Sequence, residues 1–239
     1  TQTEEVAVTG LGLTALYIDE ERGFLFVASK LLPYIIVIDI RDDSDDRNDF
    51  VDRNYLDIES IIGIQTSSGA AGYRQFITQP GSDILYALND SPEAVWMIDL
   101  STIEDNAYSE LIQESQYGYL PATSGDEQEA GSDTRMFIGP GQMLLHPDGK
   151  RLFVSNFNAN SISVYDLTLG PYGMLIAELP HSGENPYAMA LSPDSNQLVI
   201  ANYTGNVSNN NLSESTLTIL DIDMESDSYL QFLTWVMNQ

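Results

Sequence analysis

The 239-residue sequence contains no cysteine, only nine lysines and arginines together, and only two histidines. The absence of cysteine excludes disulfide bonds, thiolate metal sites and cysteine nucleophiles. Against the nine basic residues stand 36 acidic ones, so that the formal net charge is −27. Nucleic acid and anionic membrane surfaces would be repelled, and we exclude both as partners. No apolar run approaches the roughly 20 residues of a membrane-spanning helix, so we expect no membrane insertion.

The sequence also lacks the short motifs of common catalytic and nucleotide-binding sites. It has no Gly-x-Ser-x-Gly elbow, no phosphate-binding Gly-Lys-Ser/Thr loop and no dinucleotide fingerprint. The histidines His146 and His181 do not share a metal-ligand spacing, and we interpret His146 as a turn residue bonded to nearby backbone. Carboxylates are plentiful, but no pattern selects an acid–base pair among them.

What the sequence does contain is a repeated unit, clearest over residues 141–167. Two short apolar runs flank the turn Pro147–Gly149, and an alternating third strand follows. A second copy starts at residue 185, and earlier copies cover residues 13–40 and 74–100. Each third strand ends at or beside an aspartate: Asp39, Asp99, Asp166 and Asp221.

The repeat length identifies the supersecondary unit. The turn residues Asp148 and Asp194 are 46 positions apart (194 − 148), which matches one four-stranded propeller blade of about 40–50 residues. We therefore predict an all-β fold, a β-propeller of four-stranded antiparallel blades with four blades recognisable. In a single domain over residues 1–239, the repeats cover about 13–64, 74–113, 141–180 and 185–236, with an acidic insertion at about 101–140.

The fourth strands and the closure of the ring are less sharply marked in the sequence. Fourth strands are expected near residues 58–64, 109–113, 174–179 and 229–236. Four blades could close a ring, or the segment Val6–Thr9 could close it by joining the last blade. We instead expect this chain to be part of a larger ring of about six to eight blades, the others supplied by flanking sequence.

Two segments carry a resemblance to a known family. Residues 152–156 (Leu-Phe-Val-Ser-Asn) and 198–202 (Leu-Val-Ile-Ala-Asn) each follow a Pro-Asp turn and precede a strand that ends in Asp. They resemble the YVTN-type β-propeller repeat family, which implies a surface, periplasmic or redox-enzyme propeller. More distantly the repeats are similar to 6-phosphogluconolactonase-like propellers, which implies Arg and His at strand-leading positions around a central pocket. The matching positions here are Gln142, Met143, Ala188 and Met189.

Because those positions carry no basic residue, we favour a non-enzymatic function. The prediction is an extracytoplasmic propeller, periplasmic, secreted or on the cell surface, that binds or assembles with a protein partner. Its contact loops would be residues 41–54, 101–140 and 204–215. Two alternatives stay open: a lactonase-like hydrolase with carboxylates around the channel, and an acidic redox-accessory propeller that docks a cationic electron carrier.

One carboxylate run is a candidate metal site. Asp42, Asp43, Asp45 and Asp46 could supply several of the six to eight oxygens that calcium takes. The run lacks the order of an EF-hand loop and contains Arg47, so we favour a solvated loop and keep a calcium site as the alternative. We therefore expect no cofactor, with calcium as the one alternative.

The aromatic residues at strand positions complete the prediction. We interpret them as packing between blades, with an exposed aromatic face for a partner as the alternative. They are Tyr73, Phe76, Tyr86, Trp96, Phe153, Phe157, Tyr165, Tyr187 and Tyr203.

Overall fold

The computed structural model describes residues 12–29, 34–40, 58–63, 71–91, 93–102, 117–119, 140–170, 173–180, 184–204 and 216–237. Apart from a 3-10 helical turn at Leu100–Thr102, the regular elements in these ranges are strands. They are β1 (Leu13–Asp19), β2 (Phe24–Ser29), β3 (Tyr34–Asp39), β4 (Ile58–Gly63), β5 (Ala71–Thr78), β6 (Ile84–Ser91), β7 (Glu93–Asp99), β8 (Tyr117–Tyr119), β9 (Pro140–Leu145), β10 (Arg151–Asn156), β11 (Ser161–Asp166), β12 (Met174–Pro180), β13 (Glu184–Leu191), β14 (Gln197–Thr204), β15 (Thr216–Asp221) and β16 (Phe232–Met237).

These strands form four sheets of four strands, each joined in sequence order: β1–β4, β5–β8, β9–β12 and β13–β16. We refer to the sheets as blades 1 to 4. The prediction of an all-β fold built from four-stranded blades is confirmed. The chain divides into two compact units, Thr1–Pro92 with Trp96–Gly118, and Glu93–Val95 with Tyr119–Gln239. Blades 1 and 2 lie essentially in the first unit, and blades 3 and 4 in the second.

Hydrophobic patterning explains the position of each strand within blade 3. Every residue of β10, the second strand, is buried, whereas the outermost strand, β12, alternates between exposed and half-buried residues. An interior strand covered on both faces reads as a continuous apolar run, while a strand with one solvated face alternates. The alternation along the chain thus distinguishes the interior strand from the outer one.

The second unit has one apolar core between its two blades. Blade 3 contributes Phe153, Ile162 and Val164, and blade 4 covers them. Close backbone approach accompanies this packing, since a Cβ on Gly141 would lie 3.0 Å from the carbonyl oxygen of Pro186. The residues that blade 4 contributes are Met189, Leu198, Ile200, Leu220 and Ile222.

The first unit joins its two blades with aromatic rings. Phe26 of blade 1 lies 6.4 Å from Phe76 of blade 2 between ring centroids. Tyr17 places its hydroxyl 2.9 Å from Thr78 Oγ1, and Thr14 Oγ1 donates to the carbonyl of Tyr73 at 2.7 Å. Polar side chains of β1 therefore complete the contact that the rings begin.

Blades 3 and 4 repeat the same turn after their first strands. The amide of Gly149 donates to the carbonyl of His146, and the amide of Ser195 donates to that of Ser192, each at 2.9 Å. Both turns place their last residue in the left-handed region, with φ of 71° at Gly149 and 59° at Ser195. Glycine adopts this conformation without steric cost, but serine does not.

The aspartates that end the third strands have a common local function. Their Oδ1 atoms accept a hydrogen bond from the amide two residues ahead and so hold the turn that follows the strand. The pairs are Asp99 with Ser101 at 2.9 Å, Asp166 with Thr168 at 2.8 Å, and Asp221 with Asp223 at 3.0 Å.

Two of the predicted fourth strands need correction. In blade 2 the fourth strand is β8 at Tyr117–Tyr119, inside the predicted acidic insertion, while residues 109–113 lie outside the described part of the chain. A three-residue Tyr-Gly-Tyr strand has too little alternation to stand out. In blade 4 the strand starts at Phe232 rather than Tyr229, because residues 224–230 form turns and Leu230 has φ 60°. The predicted strands at 58–64 and 174–179 are confirmed.

The repeated turn leads to a prediction about stability. Ser195→Gly should raise the free energy of unfolding by about 0.5–1 kcal/mol, because it removes a left-handed serine at a small cost in chain entropy. The reverse change, Gly149→Ser, should lower it by about 1–2 kcal/mol. Urea unfolding of both variants measures the two effects, and a loss of stability in Ser195→Gly would contradict the account.

Candidate functional site

A cluster of polar side chains surrounds the turn after the first strand of blade 3. His146, at the end of β9, places Nδ1 2.8 Å from Asp148 Oδ1. The guanidinium of Arg151, the first residue of β10, lies against the imidazole, with Nη2 3.0 Å from Nε2 and 3.2 Å from Asp148 Oδ2. His146 and Arg151 are both buried. Partial burial opposes ionisation of Asp148, but the Lys150 amide, His146 and Arg151 together lower its pKa.

The same cluster reaches into blade 4. Nη1 of Arg151 donates to the carbonyl oxygen of Ile222 at 2.5 Å, and the His146 ring is bonded through Nε2 to the carbonyl oxygen of Ser195 at 3.0 Å. The interpretation of His146 as a backbone-bonded turn histidine is confirmed, although the carbonyl belongs to the neighbouring blade. With Nδ1 against a carboxylate and Nε2 on a carbonyl, the ring joins two blades and is not poised as a general base.

Blade 1 makes a comparable link to blade 2. Arg22 donates through Nη1 to Asp19 and through Nη2 to Asp83, both at 2.8 Å, and also to the carbonyl of Ser82. Although burial opposes ionisation, the hydrogen bonds that Arg22 donates to Asp83 and Asp19 raise its pKa. In each unit an arginine therefore joins one blade to the next. It lies at the end of the blades where the first strand turns into the second. We call this end the turn end.

At the other end of the second unit, β9 and β13 begin and β10 and β14 finish; we call this the entry end. Asn156 closes β10, and its Nδ2 donates to Ser161 Oγ at 3.0 Å and Ser163 Oγ at 2.8 Å. Asn202, two residues before the end of β14, donates in the same way to Thr216 and Thr218 at 2.9 and 3.0 Å. In blades 3 and 4, an asparagine at or near the end of the second strand thus fixes the third strand of its own blade.

The strand-leading positions singled out in the sequence are used for contact between blades. Gln142 accepts a hydrogen bond at Oε1 from the amide of Met189, which joins β9 to β13. Met143 and Met189 are buried. In the described part of the second unit these positions therefore contribute to packing and strand alignment.

An aromatic cluster at the entry end is the feature that the sequence interpretation got wrong. The prediction that the aromatic residues are buried holds for Tyr73, Phe76, Tyr86, Trp96, Phe153 and Tyr165. It fails for Tyr187 and Tyr203, which are 57% and 66% exposed. Both flank Phe157, at centroid distances of 6.1 and 6.2 Å and interplanar angles of 77° and 53°. We call Phe157, Tyr187 and Tyr203 the aromatic surface.

The reason for the exposure is local geometry. Phe157 begins the turn after β10. The pairing of β13 with β14 is irregular at Tyr187, because Pro186 pairs with Asn202 whereas Ala188 pairs with Ala201. Such an irregularity re-aims a side chain, whereas apolar pattern alone would place Tyr187 inside. Tyr203 follows the buried Asn202 and, by alternation, points to the opposite face.

Two asparagines hold the backbone beneath the aromatic surface. Asn160 and Asn185 both have left-handed backbone, with φ of 54° and 55°. Asn160 Oδ1 accepts from the amide of Asn185 at 2.7 Å, and Asn185 Nδ2 donates to the carbonyl of Phe157 at 3.0 Å. Left-handed residues other than glycine persist where surrounding contacts fix them, often at functional sites.

The aspartates of the alternative calcium site, Asp42, Asp43, Asp45 and Asp46, lie outside the described residues, as does His181. Within the described ranges no group of three or more histidines and acidic residues is arranged to hold a metal ion. No helix in those same ranges has both the length and the apolar character to cross a membrane.

Comparison with known proteins places this chain in a family. The model of a seven-bladed β-propeller lactonase family matches residues 34–216. The chain belongs to this lactonase family. The more distant of the two resemblances, to lactonase-like propellers, is thereby confirmed. A comparison with curated protein sequences gives no match.

Solved structures of the same fold include two propellers that are described as a lactonase or a putative lactonase. A putative 6-phosphogluconolactonase from Bacteroides uniformis has a TM-score of 0.55 at 14% identity. The match covers 95% of this chain and 57% of that protein. The periplasmic gluconolactonase of Pseudomonas aeruginosa has a TM-score of 0.58 at 14% identity, with 92% of this chain covering 56% of it. Hydrazine synthase of Kuenenia stuttgartiensis reaches a TM-score of 0.60 at 15% identity, with 100% of this chain covering 53% of it. This member of the lactonase family thus spans a little over half of each structure, and at these identities the likeness shows the fold alone.

The Arg151 cluster leads to a second prediction. Arg151→Met should lower the free energy of unfolding by about 3 kcal/mol, because it leaves the buried Ile222 carbonyl and part of Asp148 without their cationic donor. Lys150→Met removes the same charge from an exposed neighbour and should change stability by about 0.5 kcal/mol or less. Urea unfolding compares the two, and equal effects would refute a structural role for Arg151.

The carboxylate of Asp221 leads to a prediction about pH. The hydroxyl groups of Ser226 and Ser228 and the Asp223 amide lower its pKa in the folded protein. Its stabilising effect is complete above the unfolded pKa of about 3.9 and is lost as pH falls through the lower folded value. Wild type should therefore lose more stability than Asp221→Asn when urea unfolding is repeated from pH 5 to pH 3. Parallel curves for wild type and Asp221→Asn would contradict the assignment.

Proposed function

We propose that the protein hydrolyses a lactone, the cyclic ester of a sugar acid. The observation that carries this proposal is the match of the lactonase family model to residues 34–216. The solved propellers described as a 6-phosphogluconolactonase and a gluconolactonase support sugar lactones as the substrate class. In the reaction, water adds to the carbonyl carbon, the acyl C–O bond of the ring breaks, and the ring oxygen leaves as a hydroxyl group.

The charge of the chain favours one kind of lactone. With a formal net charge of −27, the protein repels a substrate that carries a phosphate and does not repel a neutral one. The proposed substrate is therefore an unphosphorylated aldonolactone such as gluconolactone. The description of one similar propeller as periplasmic supports an extracytoplasmic location, which the same proposal includes.

Acid–base chemistry would come from carboxylates. Activation of water needs a base within hydrogen-bond reach, and in the described residues the His146 ring is already bonded to Asp148 and the Ser195 carbonyl. Calcium held by Asp42, Asp43, Asp45 and Asp46 stays a prediction; bound near the substrate, it would polarise the lactone carbonyl.

The test is titration of released acid with gluconolactone and its 6-phosphate at pH 7, against the spontaneous rate. We expect turnover of gluconolactone at least tenfold above that of the phosphorylated lactone, which reflects repulsion by the acidic protein. His146→Gln, if folded, should keep the wild-type rate. Loss of turnover with a chelator and its return with calcium would support the metal. Absence of turnover on a panel of five- and six-membered lactones would remove the proposal.

A second function, recognition of a protein partner, is favoured by a specific observation. Tyr187 and Tyr203 expose most of their surface beside Phe157, and exposed tyrosines that cluster commonly anchor protein interfaces.

A further inference from the structure

The aromatic surface lies on the part of the chain with the most one-sided charge. Residues 152–239 contain no lysine and no arginine. The acidic residues in the same segment are Asp166, Glu178, Glu184, Asp194, Glu214, Asp221, Asp223, Glu225 and Asp227. In the described part of the second unit, the cations Lys150 and Arg151 both lie at the turn end, away from the aromatic surface. The field around the three rings is therefore negative.

The three rings also present suitable faces. Phe157 meets Tyr187 edge to face and Tyr203 at a tilt, so the rings do not stack on one another in parallel. Non-parallel rings leave π faces open, and the negative face of an aromatic ring attracts a guanidinium or ammonium group within about 6 Å. The exposure of 57% at Tyr187 and 66% at Tyr203 makes those faces accessible.

A carboxylate lies at the same end of blade 3. Glu178 of β12 is exposed and accepts a hydrogen bond from Ser161 Oγ at 3.3 Å. Ser161 follows Asn160, whose side chain holds the amide of Asn185 beneath the rings. Because β11 separates β12 from β10, Glu178 adds to the negative field at the entry end rather than lying against the rings.

The backbone beneath the rings is fixed in advance. The Asn160–Asn185 hydrogen bond and the bond from Asn185 to the Phe157 carbonyl tie the turn after β10 to the start of β13. Rigid anchors lose little conformational entropy when a partner binds, and so more of the contact energy appears as affinity.

From these observations we propose that the aromatic surface binds a cationic side chain of a partner protein, arginine in preference to lysine. Arginine combines cation–π contact with planar stacking, which matches the exposed faces of Tyr187 and Tyr203. The acidic field steers a basic segment towards the entry end and sets the charge of acceptable partners. This binding is separate from lactone hydrolysis, whose proposed substrate is neutral.

The test uses the full chain and two peptides, acetyl-(Gly-Arg)4-amide and its citrulline counterpart, which has nearly the same shape but no charge. Calorimetry at low salt should show the arginine peptide binding at least about tenfold more tightly than the citrulline peptide. Because net charge alone attracts any basic peptide, the decisive variants do not alter charge. Tyr187→Leu with Tyr203→Leu should weaken binding of the arginine peptide about fivefold or more, while Tyr187→Phe with Tyr203→Phe should keep it within about twofold.

Met224→Leu provides the control, since Met224 is 63% exposed in the turn between β15 and β16 at the turn end. It should leave binding unchanged. Equal binding by wild type and the double leucine variant would overturn the proposal and assign the affinity to diffuse attraction. Sedimentation tests whether the surface instead binds a second copy of this chain. Self-association of wild type that the leucine variant loses and that the arginine peptide does not affect would also overturn the proposal. Lactone turnover of the same variants is measured separately, with a lactone as the probe. If no turnover is found, the peptide-binding result still decides this proposal.

Discussion

The burial of one sheet face against the next blade is the constraint on which each unit depends. A four-stranded sheet cannot bury an apolar face by itself, and in the second unit Phe153 of β10 and Ile162 and Val164 of β11 are covered by residues of blade 4. The core thereby fixes which residues of β13, β14 and β15 must be apolar. Polar contacts are placed where that core ends, above all at the turn end.

The cross-blade arginines follow from this constraint. Apolar packing is not directional, so it brings two sheets together without fixing their alignment. Arg151 and His146 supply the direction, because they bond to the backbone of Ile222 and Ser195 rather than to variable side chains. In the first unit Arg22 does the same toward Ser82, although it stands two residues before its strand rather than on it. Both units need a polar link between their blades, but the arginines that supply it stand at different positions of the repeat. Alignment of the repeats in sequence therefore does not show this link.

How far the sequence predicts this structure depends on the range of the interactions concerned. Local features were predictable: Pro147–Gly149 specifies a turn, and the apolar runs around it specify strands, because both rest on neighbours in sequence. The failures are non-local. Tyr203 alternates correctly with Asn202, but which face of β14 is covered depends on blade 3, and the register shift at Tyr187 depends on its pairing with β14. The candidate surface was therefore hidden among residues whose type is typical of a core.

The same charge imbalance constrains the proposed substrate and partner in different ways. A net charge of −27 acts over about a Debye length, roughly 8–10 Å at physiological salt, so it selects by the sign of a ligand and not by its shape. For a lactone substrate, this charge disfavours a phosphorylated lactone and neither attracts nor repels a neutral one. For a protein partner the selection is for a basic segment, yet steering by itself gives no fixed geometry. Fixed geometry comes from Phe157, Tyr187 and Tyr203, whose arrangement is set by short-range hydrogen bonds at Asn160 and Asn185 that salt screens little. The affinity of a basic partner should therefore separate into a salt-sensitive association rate governed by the acidic chain and a salt-insensitive dissociation rate governed by the rings.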